Sequence, residues 1–297
     1  MIFRIRHSTR FAYRKPASDS HNEIHLKPRV TSDQRCLSFE LQVEPAGAIA
    51  AYIDFFGNSA HSVSISTPHQ ELVIPTESIV ERDPAEKQIR ADVPFARFLV
   101  DDGVRGREHY EYLAASHYVP FSKRLRRFFW HGHPQDYEDV SDYVGRIISE
   151  VHRQFEYEPN ATNVHSSLDD ILKSGGGVCQ DFAHLTIGML RLAGVPARYV
   201  SGYLAPNASP VPQPQATHAW LEAWLPGAGW TGFDPTHECL ADERYLQIAV
   251  GRDYGDVPPI RGLYRSADNN QTMTVELTVA PIDEPDVVNR STSQNQQ

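Results

Sequence analysis

The hydrophobic period changes along this chain, and that change restricts it to a mixed fold. Through residues 1 to about 82 the stretches FRIRH, NEIHL, CLSFELQVEP, SVSISTP and ESIVER alternate with period two. They are rich in β-branched and aromatic residues, the pattern of strands with one buried face. Turn signals separate them, at Asp54-Phe55-Phe56-Gly57-Asn58 and at Thr67-Pro68-His69. Further on the period becomes helical. Val140, Val144, Ile147, Ile148, Val151 and Phe155 lie on one helix face. Strands gathered at one end and helices after them predict an α+β chain with an N-terminal all-β, sandwich-like domain.

The expected boundaries follow from these patterns. Residues 1–82 read as the β-domain. Residues 83–136 read as a helical connecting region, with helices near Arg107–Ser116 and Lys123–Phe129 interrupted by Pro94 and Pro120. Residues 137–282 read as a second core, and the polar residues 283–297 as a disordered tail. Inside the second core, Ser167-Leu168-Asp169-Asp170 has the form of a helix cap. Three glycines then precede a helix beginning at Cys179, with Phe182, Leu185, Met189 and Leu192 on its apolar face and Gly194 and Pro196 as its stop. ARYVSGYL, THAWLEAWL and GWTGFDP read as strands. PNASPVPQPQ links the first two as a Pro-rich loop, and Pro226-Gly227-Ala228-Gly229 turns the last two into a hairpin.

Charge and composition exclude several functions. The formal net charge is −10, and no basic stripe exists to meet phosphates, so nucleic acid is not an expected partner. Arg124, Arg126 and Arg127 beside Phe128, Phe129 and Trp130 read as the edge of an amphipathic helix. No apolar run approaches the roughly 20 residues of a membrane helix, and MIFRIRHSTRF lacks the apolar core of a signal peptide. A cytoplasmic protein is expected. Cys36, Cys179 and Cys239 are odd in number and far apart, which argues against a disulfide framework.

A cysteine nucleophile needs an activated sulfur, a base in reach and a group that orients the base. Cys179 stands at a helix start, where free N–H groups favour negative charge. Gly175, Gly176 and Gly177 allow a sharp turn there, and the same amides can hold an oxyanion. His218 opens one strand and Asp234 ends the next. A hairpin centred on Pro226 sets them opposite each other, whereas a centre nearer Gly229 places His218 beyond His237. Hairpin geometry therefore permits the contact without requiring it, and His237 is a rival base. A plain buried thiol also fits a free cysteine. His184 lies about 140° round the helix from Cys179 and points elsewhere. Asp181 reads as a cap-side charge. Trp220, Trp224 and Trp230 fit either a substrate groove or a core. His131-Gly132-His133 and His237-Glu238-Cys239 lack the partner pairs of a structural metal site, so no metal is expected.

GVCQDFAHL, GVPARYVSGYL and THAWLEAWLPGAGWTGFDPT resemble the bacterial transglutaminase-like family, within the papain-like cysteine enzyme superfamily. VGRDYGDVPPIRGLY (Val250–Tyr264) resembles that family's closing segment. FAYRKPASDSHNEIHLKPR, YIDFFGNSAHSVSI and TPHQELVI resemble its N-terminal β-region, so the likeness runs over about residues 1 to 280. It implies Cys179 as nucleophile, His218 as base and Asp234 as its partner, with the cysteine helix packed on an antiparallel sheet. It also implies an upstream aromatic near the oxyanion, where Tyr157 falls; Gly177 and Trp220 are the further oxyanion or groove candidates from the residues themselves. The family pattern carries Asn where this chain has His237. The implied reaction is acyl transfer on a carboxamide or peptide bond through a thioester, with no cofactor and a protein or peptide substrate. A protease or amidohydrolase leads, with amine transfer to protein glutamine and a non-catalytic peptide-binding module as alternatives.

Overall fold

Period-two alternation at the N-terminus builds one long strand. In the computed structural model, which describes residues 1–84, 93–98, 107–131, 139–158, 167–206, 217–268 and 270–283, β1 runs from Ile2 to Ile24. FRIRH and NEIHL, expected as separate strands, are its two ends. The residues between them stay extended and absorb two register shifts, between Ala12 and Ala17 and between Ser18 and His21. Asp19 takes a positive φ at the second of these. The bulged backbone redirects the strand without ending it.

The strand order is β2 (Gln34–Leu41), β5 (His69–Arg82), β1, β4 (Ser59–Ile65), β3 (Ala48–Ile53). The first half of β1 pairs with β5 and the second half with β4. Each half has another edge. It is filled from the far end of the chain, by β14 (Gln271–Ile282) and β13 (Ile260–Ser266) respectively. The expected core of 137–282 is corrected accordingly, because its last two strands belong to the N-terminal sheet. Pairing removes exposed edges that would otherwise template aggregation. The two halves share one core, in which Tyr13, Ile24, Val63, Ile65, Leu72 and Ile74 are buried. The expected tail falls, from residue 284 on, outside the described residues.

The connecting region contributes α1 (Phe95–Phe98), a 3₁₀ turn at Arg107–Tyr112 and α2 (Lys123–His131). Arg124, Arg126 and Arg127 are exposed on α2 while Leu125 is buried, as an amphipathic edge requires. The next helix is α3 (Val140–Gln154), followed by β6 (Glu156–Tyr157), α4 (Leu168–Ser174), β7 (Gly176–Gly177) and α5 (Cys179–Leu192). Ser167 caps α4 in a reciprocal box with Asp170. A second antiparallel sheet follows, ordered β11 (Cys239–Leu240), β10 (Gly229–Asp234), β9 (Thr217–Leu225), β8 (Ala197–Leu204), β12 (Tyr245–Gly251). Ala219, Leu221, Ala223 and Leu225 of β9 share a core with Leu185 and Met189 of α5. Among the described residues no helix is long and apolar enough to cross a membrane.

The two sheets meet along β12. Phe3, Ile5, Val80 and Val279 pack with Tyr203, Leu246 and Ile248. The outer edge of β12 is satisfied by side-chain amides in place of another strand. Gln34 donates to the Gln247 carbonyl at 2.8 Å and accepts from its N–H at 2.9 Å. Asn58 does the same for Val250, at 2.8 and 2.9 Å. Gln34 is fully buried, so Gln34→Ala strands the Gln247 N–H, while the Gln247 carbonyl keeps the Arg29 N–H at 3.1 Å. It is expected to lower stability by roughly 1–3 kcal/mol, read as a drop in the urea midpoint without a change of slope.

Candidate active site

The glycine run has a different task at each end. Gly175 closes α4 in the left-handed region, with φ 79°, and its N–H bonds to Ile171 O at 2.9 Å. That conformation suits glycine because it has no Cβ. Gly176 and Gly177 then pair with Glu156 and Tyr157 in a short parallel ladder. A Cβ on Gly177 would lie 2.7 Å from Asp181 Oδ2 and 2.9 Å from its Cβ. That space is needed because Asp181 folds back and accepts from the Val178 N–H at 2.9 Å. Asp181 is thus the cap-side charge expected from sequence. Gly177 acts through its lack of a side chain, and its carbonyl accepts from the Glu158 N–H at 3.0 Å. Cys179 follows at the first helical position, where its own N–H has no intrahelical acceptor.

The hairpin register decides the geometry of the other two residues. Gly229 pairs with Leu225 and Phe233 with Leu221, so the hairpin centres on Gly227, one residue beyond the Pro226 centre. That register sets Asp234 diagonal to His218 on the same face, within reach of a side-chain hydrogen bond. His218 Nε2 donates to Asp234 Oδ2 at 2.7 Å. The Cys179 side chain lies close enough to the His218 ring to help raise its pKa. With Nε2 engaged by Asp234, Nδ1 is the nitrogen left for the sulfur. The structure therefore brings Cys179, His218 and Asp234 together.

Asp234 is fully buried yet collects five hydrogen bonds. Oδ2 accepts from His218, from His237 Nδ1 at 2.6 Å and from Tyr245 OH at 2.8 Å. Oδ1 accepts from the N–H groups of Thr236 at 2.8 Å and His237 at 3.3 Å. Burial by itself would raise the carboxyl pKa. The hydrogen bonds from His218 and His237, the His218 charge and the Tyr245 hydroxyl outweigh it and hold the group far below the usual carboxylate range. For His218, burial alone would lower the pKa. The hydrogen bond to Asp234, then the neighbouring Cys179 side chain and the two charges, reverse this and raise it to about 9.

Tyr157 stands beside the sulfur, aligned with Gly177 in the ladder and about half exposed. Burial, and then the Cys179 and Asp234 charges, raise its pKa. Trp220 does not line a groove. It is fully buried, stacks beneath the His218 ring at 6.1 Å and meets Tyr245 edge-on at 5.3 Å. Gly202, opposite His218 in β8, leaves room for it, since a Cβ there would lie 2.5 Å from the indole. Trp224 and Trp230 pack on each other at the far end of the hairpin, with Arg198 over the Trp230 ring. His184 is buried, accepts from the Tyr254 N–H at 3.1 Å and is pushed down to about 4 by burial. Gly132 and His133 lie outside the described residues. His218, Asp234 and His237 offer ligand atoms within 4.8 Å of one another, and those atoms are already joined by the hydrogen bonds above. Tyr245 has no precursor in the sequence reading, because a crossover brings β12 beside β8 from beyond the hairpin.

Comparison with known proteins agrees with this architecture. Residues 3–81 match the bacterial transglutaminase-like N-terminal region, and residues 123–235 match the transglutaminase-like superfamily. An uncharacterised protein of Mycobacterium leprae is 35% identical over 278 residues, which cover 88% of this chain and 92% of that one. The chain belongs to the bacterial transglutaminase-like family. Family membership makes the second unit a papain-like transglutaminase core, with its cysteine helix packed on the antiparallel sheet. An uncharacterised Mycobacterium tuberculosis protein is 30% identical across 95% of this chain and 93% of its own. A Pseudomonas aeruginosa protein-glutamine gamma-glutamyltransferase is 38% identical over 104 residues, 32% of this chain and 15% of that one. A Cytophaga hutchinsonii crystal structure, described as that of a proposed cysteine protease, shares the fold with a TM-score of 0.76 at 24% identity. The likeness covers 96% of this chain and 91% of that one.

The raised pKa of His218 has a sign that stability can read. A free imidazole titrates at about 6.5. The His218 interactions therefore stabilise the fold fully below that pH and lose their effect as pH rises through about 9. The stability difference between wild type and His218→Ala is expected to be largest near about pH 6 and to shrink towards about pH 10. A difference that widens with pH counters the assignment.

Proposed function

We propose that this protein is a cysteine acyl-transfer enzyme that hydrolyses a carboxamide or peptide bond through a thioester. The observation that carries the reading is the continuous Cys179–His218–Asp234 contact, with the sulfur at the open start of a buried helix. The Cys179 proton passes to His218, and Asp234 holds the imidazolium and its tautomer. The thiolate attacks the substrate carbonyl. The Cys179 N–H, free of intrahelical bonding, receives the oxyanion. As the tetrahedral adduct collapses, the C–N bond breaks and His218 returns its proton to the leaving nitrogen. Neutral His218 then takes a proton from water, whose oxygen displaces the sulfur and releases the acid.

The rim of the site favours water as the acceptor. Tyr157, whose pKa responds to the Cys179 charge, and His237, bonded to Asp234, each have about half of their surface exposed, which gives solvent access near the thioester. The protein-glutamine gamma-glutamyltransferase relative supports a second reading, in which an amine replaces water in the last step. The triad chemistry is common to both, and pocket shape and water access make the difference.

Incubation with a peptide library and mass spectrometry separates these outcomes. A gain of about 1 Da marks deamidation, backbone cleavage marks a peptidase and an added amine marks transfer. Cys179→Ala is expected to lower turnover at least about 1000-fold with the thermal melt unchanged. Activity retained by that variant overturns the mechanism. Independently, iodoacetamide at pH 6 should label Cys179 faster than a free model thiol; equal rates would point to an inert thiol and a binding module.

A further inference from the structure

Asp234 Oδ2 serves three side chains at once, and only one of them is His218. The other two come from separate elements. His237 lies in the turn after β10 and donates through Nδ1 at 2.6 Å, with its ring 5.2 Å from that of His218. Tyr245 opens β12 and donates its hydroxyl at 2.8 Å, while its ring packs on Trp220. Burial, reinforced by the Asp234 charge, raises the Tyr245 pKa far above the ordinary phenol range. The hydroxyl therefore stays protonated and available as a donor. Cys239 Sγ lies 3.3 Å from the same hydroxyl.

A carboxylate oxygen divides its negative charge among its donors. Each extra donor stabilises the anion without help from the imidazolium, and so reduces what the anion gains by holding it. We propose that His237 and Tyr245 are positioning residues that share the Asp234 carboxylate with His218 and so loosen its grip on the His218 imidazolium. The inference rests on the acyl-transfer reading above. It assigns these two side chains to the step in which His218 must surrender its proton to the leaving nitrogen. Without the two donors, the ion pair tightens and His218 becomes a weaker acid.

The other titratable groups around this centre are Cys179 on α5, Tyr157 on β6 and Cys239 on β11. Asp242 and Arg244 form an ion pair just before β12. His152 bonds the Pro235 carbonyl at 3.2 Å and lies 3.9 Å from Glu238. The Cys179→Ser background is common to all the titrated proteins and the added substitutions leave the other groups in place, so differences between variants report on the removed donor.

The test is an NMR titration of the His218 ring in full-length Cys179→Ser protein, alone and combined with His237→Ala or Tyr245→Phe. Each added substitution is expected to raise the His218 midpoint by at least roughly half a unit. His237→Asn, which keeps a side-chain N–H donor, is expected to return it towards the parent value. In the cysteine-bearing enzyme, the alkaline limb of kcat/KM should move up in parallel. Tyr245→Phe keeps the ring that packs on Trp220, and His237 is about half exposed, so both variants are expected to fold. Unchanged or lowered midpoints in both overturn the proposal, even if activity falls, because a purely structural role predicts that result. If no substrate turns over, the acyl-transfer reading fails on its own account while the titration still decides the sharing of Asp234.

Discussion

The cysteine helix is buried from its third residue to its last turn, and the rest of the second unit is arranged around that constraint. Every residue from Asp181 to Arg191 is buried. A helix enclosed on all faces can expose a reactive group only at an end, and the N-terminal end is the one with unpaired N–H donors. Enclosure also obliges each polar residue of the helix to find a partner. Asp181 accepts from Val178, and His184 accepts from Tyr254. Arg191 reaches the carbonyls of Ala197, Ala114 and Arg252. Those bonds cap the helix and tie it to β8, to the connecting region at Ala114 and to the turn after β12, so the sulfur sits on a rigid element.

The N-terminal sheet takes part in the same arrangement without touching the sulfur. β12 is the edge strand of the catalytic sheet, and its outer backbone groups at Gln247 and Val250 are paired by Gln34 and Asn58. Two residues before Gln247 stands Tyr245, whose hydroxyl holds Asp234. Between the domains and the triad there is thus one strand. Its far edge is fixed by the first domain, and its first residue is bonded to the catalytic carboxylate. The return of β13 and β14 to β1 then closes the chain around this strand, so neither unit is an appendage of the other.

Much of this was legible in the sequence, and the misses share one cause. Local signals worked where a local contact decides the outcome. The Ser167 cap, the αL glycine at 175, the helix beginning at Cys179 and the β9–β10 hairpin are each settled within a few residues. The failures are tertiary. FRIRH and NEIHL look like two strands because a bulge leaves no turn chemistry to read. Nothing in IRGLYRS or in the last strand says that it pairs with residues at the chain's beginning. Strand alternation left Trp220 open to groove or core, because it does not tell that β12 brings Tyr245 against it. The hairpin centre was off by one residue, which for a strand alters which side chains are opposed, and a diagonal contact replaced a direct one.

The five hydrogen bonds on Asp234 connect this packing to the chemistry. A carboxylate without solvent is expected to protonate, and a protonated Asp234 would give His218 no reason to carry charge. The two backbone N–H groups of the Asp-Pro-Thr-His turn and the His218 ring prevent that, while His237 and Tyr245 draw on the same carboxylate oxygen. The anion they preserve is what overcomes the burial of His218 and keeps its imidazole charged beside the sulfur. The charge on the His218 ring is therefore determined at a carboxylate with no exposed surface. The donors around it, His237 among them, belong to the description of the site as much as the triad does.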